Sequence, residues 1–150
     1  MLTFNPDEVT HGIQLAVAPV FLLTAVSGMI GAIAGRLARI IDRARLVEDR
    51  ARESTDQEFL ARAFAELAEL RLRGRLANGG IALLTFCAVM IGFTIIVLFV
   101  GETSNFQFSR WAVASFLCGV VSFLTALLCF LAETLIATRL LNFDMPNKAS

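Results

Sequence analysis

The side chains in this sequence that could do chemistry are few, and most of them stand inside long apolar runs. Glu133 is the one charged residue between positions 111 and 138. An acid in such a run is a candidate ion-pair partner, proton relay or ion ligand. It follows Trp111 by 22 residues, about 33 Å of helix, which sets it at the far boundary of the run, level with Arg36, Arg39 and Arg75. A structural ion pair is the chemistry that depth favours. Ser115, Cys118, Ser122, Thr125 and Cys129 fall with Glu133 inside ~80° of a helical wheel. This weakly polar stripe suits a packing face whose hydroxyls bond locally or across helices, and it also suits the lining of a pore in an oligomer.

A second cluster reads RLARIIDRAR from Arg36 to Arg45. On a helix Arg36, Arg39, Arg43 and Arg50 form a basic stripe ~60° wide, and Asp42 lies three residues from both Arg39 and Arg45, within ion-pair reach. Arg36, Arg39, Asp42, Arg43 and Glu133 are therefore candidates for ion pairing or for holding an anionic lipid headgroup. His11, the single histidine, has Asp7 and Glu8 on the same early helix, too few ligands for a metal within one chain. Cys87, Cys118 and Cys129 lack zinc-site or disulfide spacing and read as small apolar fillers. There is no phosphate-binding glycine loop, metalloprotease motif or nucleophile elbow. The sequence predicts no enzyme, no metal and no cofactor.

The elements that carry these residues follow from composition. The chain has 150 residues, 57% hydrophobic and 17% charged, with zero formal net charge. The zero hides segregation, since ten of the thirteen basic residues lie between Arg36 and Arg75. That alternation is foreign to a nucleic-acid-binding surface and natural to a chain crossing a bilayer, whose hydrocarbon core takes ~20 apolar residues of helix. Residues 12–35 and 76–101 carry no charge, and 111–138 carry only Glu133.

The sequence thus predicts an all-α integral membrane protein with three transmembrane helices. Its parts are an N-terminal segment with helix 1 (1–35), a connection (36–75), helix 2 (76–101), an external loop (102–110), helix 3 (111–138) and a tail (139–150). Residues before Arg36 include no basic n-region, so the first apolar run is expected to persist in the mature protein. Twelve of thirteen basic residues fall in the connection or after 138, which orients the connection and C-terminus to the cytoplasm and the N-terminus outside.

The connection has no proline and a single glycine, Gly74. Helices 1 and 2 are therefore expected to continue beyond the membrane as a cytoplasmic antiparallel helical hairpin, turning at Ser54–Asp56. Ser54 with Gln57, or Thr55 with Glu58, would make a capping box there. One arm carries Leu37, Ile40, Ile41, Ala44, Val47 and Ala51 within ~120°, and the other Phe59, Leu60, Ala63, Phe64, Leu67 and Leu70 within ~140°. Glu58, Arg62 and Glu66, and likewise Glu69 and Arg73, are four apart and suit solvated ion pairs. At the N-terminus Asn5 offers a cap before Pro6, and Pro19 is expected to bend helix 1. Ser27, Gly31 and Gly35, with Thr24 and Gly28 on the same face, let another helix come close and mark a packing seam.

APVFLL at Ala18–Leu23, followed by RLARIIDRAR, resembles a family of small bacterial membrane proteins classified only as a domain of unknown function. The likeness covers most of the chain, including the three spans and the charged connection. It implies a bacterial inner-membrane location and carries over no activity. Two functional expectations follow. The first is a non-enzymatic scaffold or accessory subunit, homo-oligomeric because three helices of this size bury little surface, with the bilayer and a membrane or cytoplasmic protein as partners. The second is a homo-oligomeric channel or small transporter lined by helix 3.

Overall fold

The computed structural model describes residues 6–104 and 109–143, with side chains described at Gln14, 17–101 and 110–138. Apart from a connection at 54–56, these residues form three helices: α1, Pro6–Glu53; α2, Gln57–Ser104; and α3, Ser109–Phe143. All three contain stretches long and apolar enough to cross a bilayer. At 48 residues each, α1 and α2 are more than twice the length a bilayer core demands. The absence of a breaker after either apolar run explains why they continue. Pro6 opens α1, where its missing N–H is no loss, and the helix runs on through Pro19.

The turn between α1 and α2 is capped by a residue other than those expected. Asp56 Oδ1 accepts the Glu58 N–H at 3.0 Å, Ser54 Oγ accepts the Asp56 N–H at 3.2 Å, and the Leu60 N–H closes the first helical turn on Asp56 O at 3.0 Å. Asp56 is thus the N-cap of α2, one residue later than the nearer of the two capping boxes. A carboxylate satisfies an orphan donor at a helix N-terminus and also complements the helix dipole. Asn5, proposed as the cap of α1, lies outside the described residues.

Buried positions recur at intervals of seven. In α1 they include Val26, Ile33, Ile40 and Val47; in α2, Ala63, Leu70, Ala77, Leu84 and Ile91; in α3, Ala112, Ala126 and Glu133, with Gly119 in the same register. Such a period, rather than 3.6, keeps one narrow line of each helix on its neighbours. The narrowness corrects the predicted arm faces: Ile41, Phe59 and Phe64 point outward, Phe64 with 65% of its surface exposed.

The chain divides into two compact units. The first comprises Met1–Ile30 and Ala82–Thr125, the second Gly31–Ile81 and Ala126–Ser150. In the first, α3 comes close to α2 at Gly119, where a Cβ would stand 3.3 Å from Ile91 Cγ1 and 3.4 Å from Met90 Cβ. The Ser115 and Thr94 hydroxyls meet at 2.7 Å, and Ser122 Oγ donates to Leu83 O at 2.8 Å. In the second unit Ile33, Ile40, Val47, Ala63, Leu70, Ala77 and Ala126 form the apolar core. Among the described residues every buried side-chain nitrogen or oxygen has a hydrogen-bond partner.

Candidate functional site

The site lies in the second unit and is built around a carboxylate on α3. Glu133 continues the seven-residue line of Gly119 and Ala126, so the packing that buries those positions also buries the acid, leaving it 1% exposed. An isolated carboxylate in such a place costs several kcal/mol, and its retention requires opposite charge and hydrogen bonds. Two arginines supply both. Arg36 of α1 donates from Nε to Oε2 at 3.0 Å and brings Nη2 to the same oxygen at 2.6 Å. Arg73 of α2 donates from Nε and Nη2 to Oε1 at 3.1 and 3.0 Å.

Each carboxylate oxygen is thus held by a separate guanidinium, Oε1 through two N–H groups of Arg73 and Oε2 through one N–H and a close Nη2 of Arg36. The result ties all three helices at one point and leaves one unit of positive charge in excess. The Arg36 guanidinium also lies over the Phe130 ring, 5.2 Å from its centroid, a contact that Lys makes less well because it lacks a planar stacking surface.

Farther along the same arms, Arg43 reaches across to Glu66, with Nε and Nη2 both 2.7 Å from Oε1. Between the two ion-pair clusters lies a cleft of about 330 Å³ lined by Arg36, Arg39, Ile40, Arg43, Leu70 and Arg73. Arg39 has no ion-pair partner among the described residues. The remaining pairs, Arg52 with Glu48 and Arg62 with Glu58, lie on the exposed surfaces of single helices.

Several sequence-derived expectations need correction. Arg73 joins Glu133 where Arg39 and Arg75 were the alternatives to Arg36, and it does not pair with Glu69. Its signal was available: Arg73 is seven residues before Gly80 and 14 before Cys87, both buried, so it occupies a core position of α2. Asp42 is exposed and, among the described residues, forms no ion pair with Arg39 or Arg45. The five-residue stripe on α3 is split: Ser115 and Ser122 are buried, Cys129 is half-buried, and Cys118 and Thr125 are exposed. The buried line of α3 is centred ~50° from the stripe's middle, so only its inner edge enters the packing.

Ser27, Gly31 and Gly35 are exposed, and a Cβ at Gly28, Gly31 or Gly35 would meet nothing within 4 Å. Among the described residues the seam therefore takes no part in packing; it is on the side of α1 opposite Val26 and Ile33, ~160° around the wheel. The His11, Asp7 and Glu8 side chains are outside those described. Trp111 and Arg110 stand exposed side by side at the start of α3.

These features define a multi-pass membrane protein whose three helices are tied together by a buried carboxylate shared between two arginines. The chain belongs to the family described as a protein of unknown function (DUF2721), whose model matches residues 16–143. The matched span includes Arg36, Arg73 and Glu133 as well as the small-residue face of α1. No curated protein matches the chain, and no solved structure does.

Proposed function

We propose that this protein is a non-enzymatic scaffold or accessory subunit of a bacterial inner membrane, self-associating through α1 and holding its helical hairpin in a fixed pose on the cytoplasmic side. The observation that carries the reading is the engagement of Glu133. Both its oxygens are taken up by Arg36 and Arg73, so the acid is occupied in fixing helices and has no oxygen left over for a passing ion. Glu133, the one buried acid among the described residues, holds the hairpin's two arms against α3.

Self-association draws support from α1, where Ser27, Gly31 and Gly35 offer an unfilled small-residue face of the kind along which helices approach in a bilayer. The cytoplasmic assignment of the hairpin rests on the concentration of arginine in it. Support for the competing channel reading is confined to the exposed Cys118 and half-buried Cys129, because the Ser115, Ser122 and Thr125 hydroxyls are all bonded within the chain.

The test is the mass of the purified protein in mild detergent, together with disulfide formation by a Gly31→Cys variant lacking the native cysteines. The expected result is an oligomer that Gly31→Cys cross-links. A monomer that never cross-links would overturn the reading, as would liposome ion flux abolished by Glu133→Gln. For orientation, Thr55→Cys is expected to react with a membrane-impermeant thiol reagent in inverted vesicles and not in intact cells.

A further inference from the structure

We propose that the cleft bordered by Arg36, Arg39, Arg43 and Arg73 is a binding site for a phosphoryl anion, as carried by the headgroup of an anionic phospholipid. Charge supports this first. Four guanidiniums line the cleft. Glu133 offsets one of the pair Arg36 and Arg73, Glu66 offsets Arg43, and Arg39 is unpaired among the described residues, leaving an excess of two positive charges. Asp42 and Glu69 stand on the same arms but do not line the cleft.

Donor geometry supports it next. Arg36 and Arg73 spend Nε and Nη2 on Glu133, so their Nη1 groups remain, together with the whole planar fork of Arg39. Forked N–H donors match the oxygens of a phosphate in pairs. Ile40 and Leu70, both buried, complete the lining with apolar surface, beside which charge attraction is stronger than in open water. Its volume of about 330 Å³ is at the lower end of small-molecule sites, roughly 300–1,000 Å³.

Depth selects among anions. Arg36 is the first charge after the charge-free residues 12–35, and Arg73 precedes the charge-free residues 76–101 by only three positions. From Arg36 to Arg43 the helix rises about 10 Å, close to the ~5–8 Å headgroup layer bordering a bilayer core. A phospholipid could place its phosphate in the cleft while its acyl chains stay in the hydrocarbon. The cleft owes nothing to self-association, so the site stands whether or not the protein oligomerises.

The experiment is native mass spectrometry of the full chain in detergent, titrated separately with phosphatidylglycerol, cardiolipin and phosphatidylcholine, with inorganic phosphate as competitor. Tighter binding of the anionic lipids than of phosphatidylcholine is expected. The preference should fall about tenfold in Arg39→Gln/Arg43→Gln, the loss of one or two charge-assisted hydrogen bonds. Arg50→Gln/Arg52→Gln, outside the cleft, should keep it. If inorganic phosphate binds wild type but not the cleft variant and displaces the lipid, the site takes phosphate from soluble compounds as well; if phosphate fails to compete, the lipid is the source. Equal binding of all three lipids with no phosphate binding, or an anionic preference intact in the cleft variant, overturns the proposal. So does a glutamate-rich peptide that binds the cleft while neither phosphate probe does.

Discussion

Glu133 and Arg73 lie 60 positions apart in sequence, yet Arg73 places two N–H groups on Oε1, with Nη2 3.0 Å away, while Arg36 occupies Oε2. Each arginine alone leaves the carboxylate half satisfied. Together they make the burial of a charge tolerable, and they join α1 and α2 to α3 at residues that apolar packing alone would fill with leucine.

Glu133→Gln should therefore be the most damaging single change in this cluster. Removing one partner of a fully buried pair costs about 3–5 kcal/mol. Here the two arginine side chains retain 28% and 19% of their exposure and can turn toward water, so about 2–3 kcal/mol is expected. Arg36→Gln and Arg73→Gln should each cost less, since the other arginine stays on Glu133, and their sum should not equal the double variant. Arg52→Gln, which breaks an exposed pair with Glu48, should change stability by no more than ~0.5 kcal/mol. The readout is the labelling of Cys87, a buried thiol, during thermal unfolding of a Cys118→Ala/Cys129→Ala background.

Two glycines separate packing inside the chain from the self-association we propose. At Gly119 an added methyl meets Ile91 Cγ1 at 3.3 Å. Overpacking costs about 1–3 kcal/mol, against a gain of ~0.5–1 kcal/mol from replacing helical glycine with alanine. Gly119→Ala should come out mildly destabilising and Gly119→Leu severely so, by the same Cys87 assay. At Gly31 nothing stands within 4 Å, so Gly31→Leu should leave that assay unchanged while reducing the oligomer fraction in detergent. Gly31→Leu that unfolds the chain, or that leaves the oligomer intact, contradicts this division.

The fold was legible in the sequence because bilayer thickness imposes a coarse rule. Two runs without charge and a third with a single acid give three helices long and apolar enough to span, and a connection lacking breakers gives a hairpin. The candidate site was legible only in part. Glu133 and Arg36 stood out by position, the one as a lone acid in an apolar run and the other as the first charge after one. Arg73 did not, because ten arginines crowd residues 36–75 and only the seven-residue period distinguishes its place in the core. The same omission misdirected the arm faces, since a wheel at 100° per residue widens the apolar arc enough to admit Ile41 and Phe64. It also made the α3 stripe look like one surface, when the helix crossing divides it between Ser122 inside and Cys118 outside.

The hydroxyl pair of Thr94 and Ser115 should be worth little by itself. Their oxygens are 2.7 Å apart, but each also has a backbone carbonyl of its own helix within reach, Thr94 Oγ1 at 2.8 Å from Met90 O and Ser115 Oγ at 3.0 Å from Ala112 O. Each hydroxyl has one proton, so losing the partner redirects a hydrogen bond instead of orphaning a group. A double-mutant cycle with Thr94→Val and Ser115→Ala is expected to give a coupling of about 0.6 kcal/mol, the average for such contacts in a membrane interior. A coupling near 2 kcal/mol would mean that the carbonyls are not effective substitutes.

The cap of α2 offers the last test, and it discriminates among three adjacent residues. Asp56 Oδ1 takes the Glu58 N–H, so Asp56→Ala exposes an orphan donor and weakens the dipole match, at a cost of about 1 kcal/mol. Ser54→Ala removes an acceptor for the Asp56 N–H, but that donor is exposed and water can replace the serine, so a few tenths of a kcal/mol are expected. Thr55 makes neither contact, and Thr55→Ala should be neutral. Hydrogen exchange at the amides of residues 58–60 measures the difference locally, where global unfolding would average it away. Faster exchange in Asp56→Ala alone is the expected pattern, whereas an equal effect from Thr55→Ala would restore the capping box with Glu58 and shift the start of α2 by one residue.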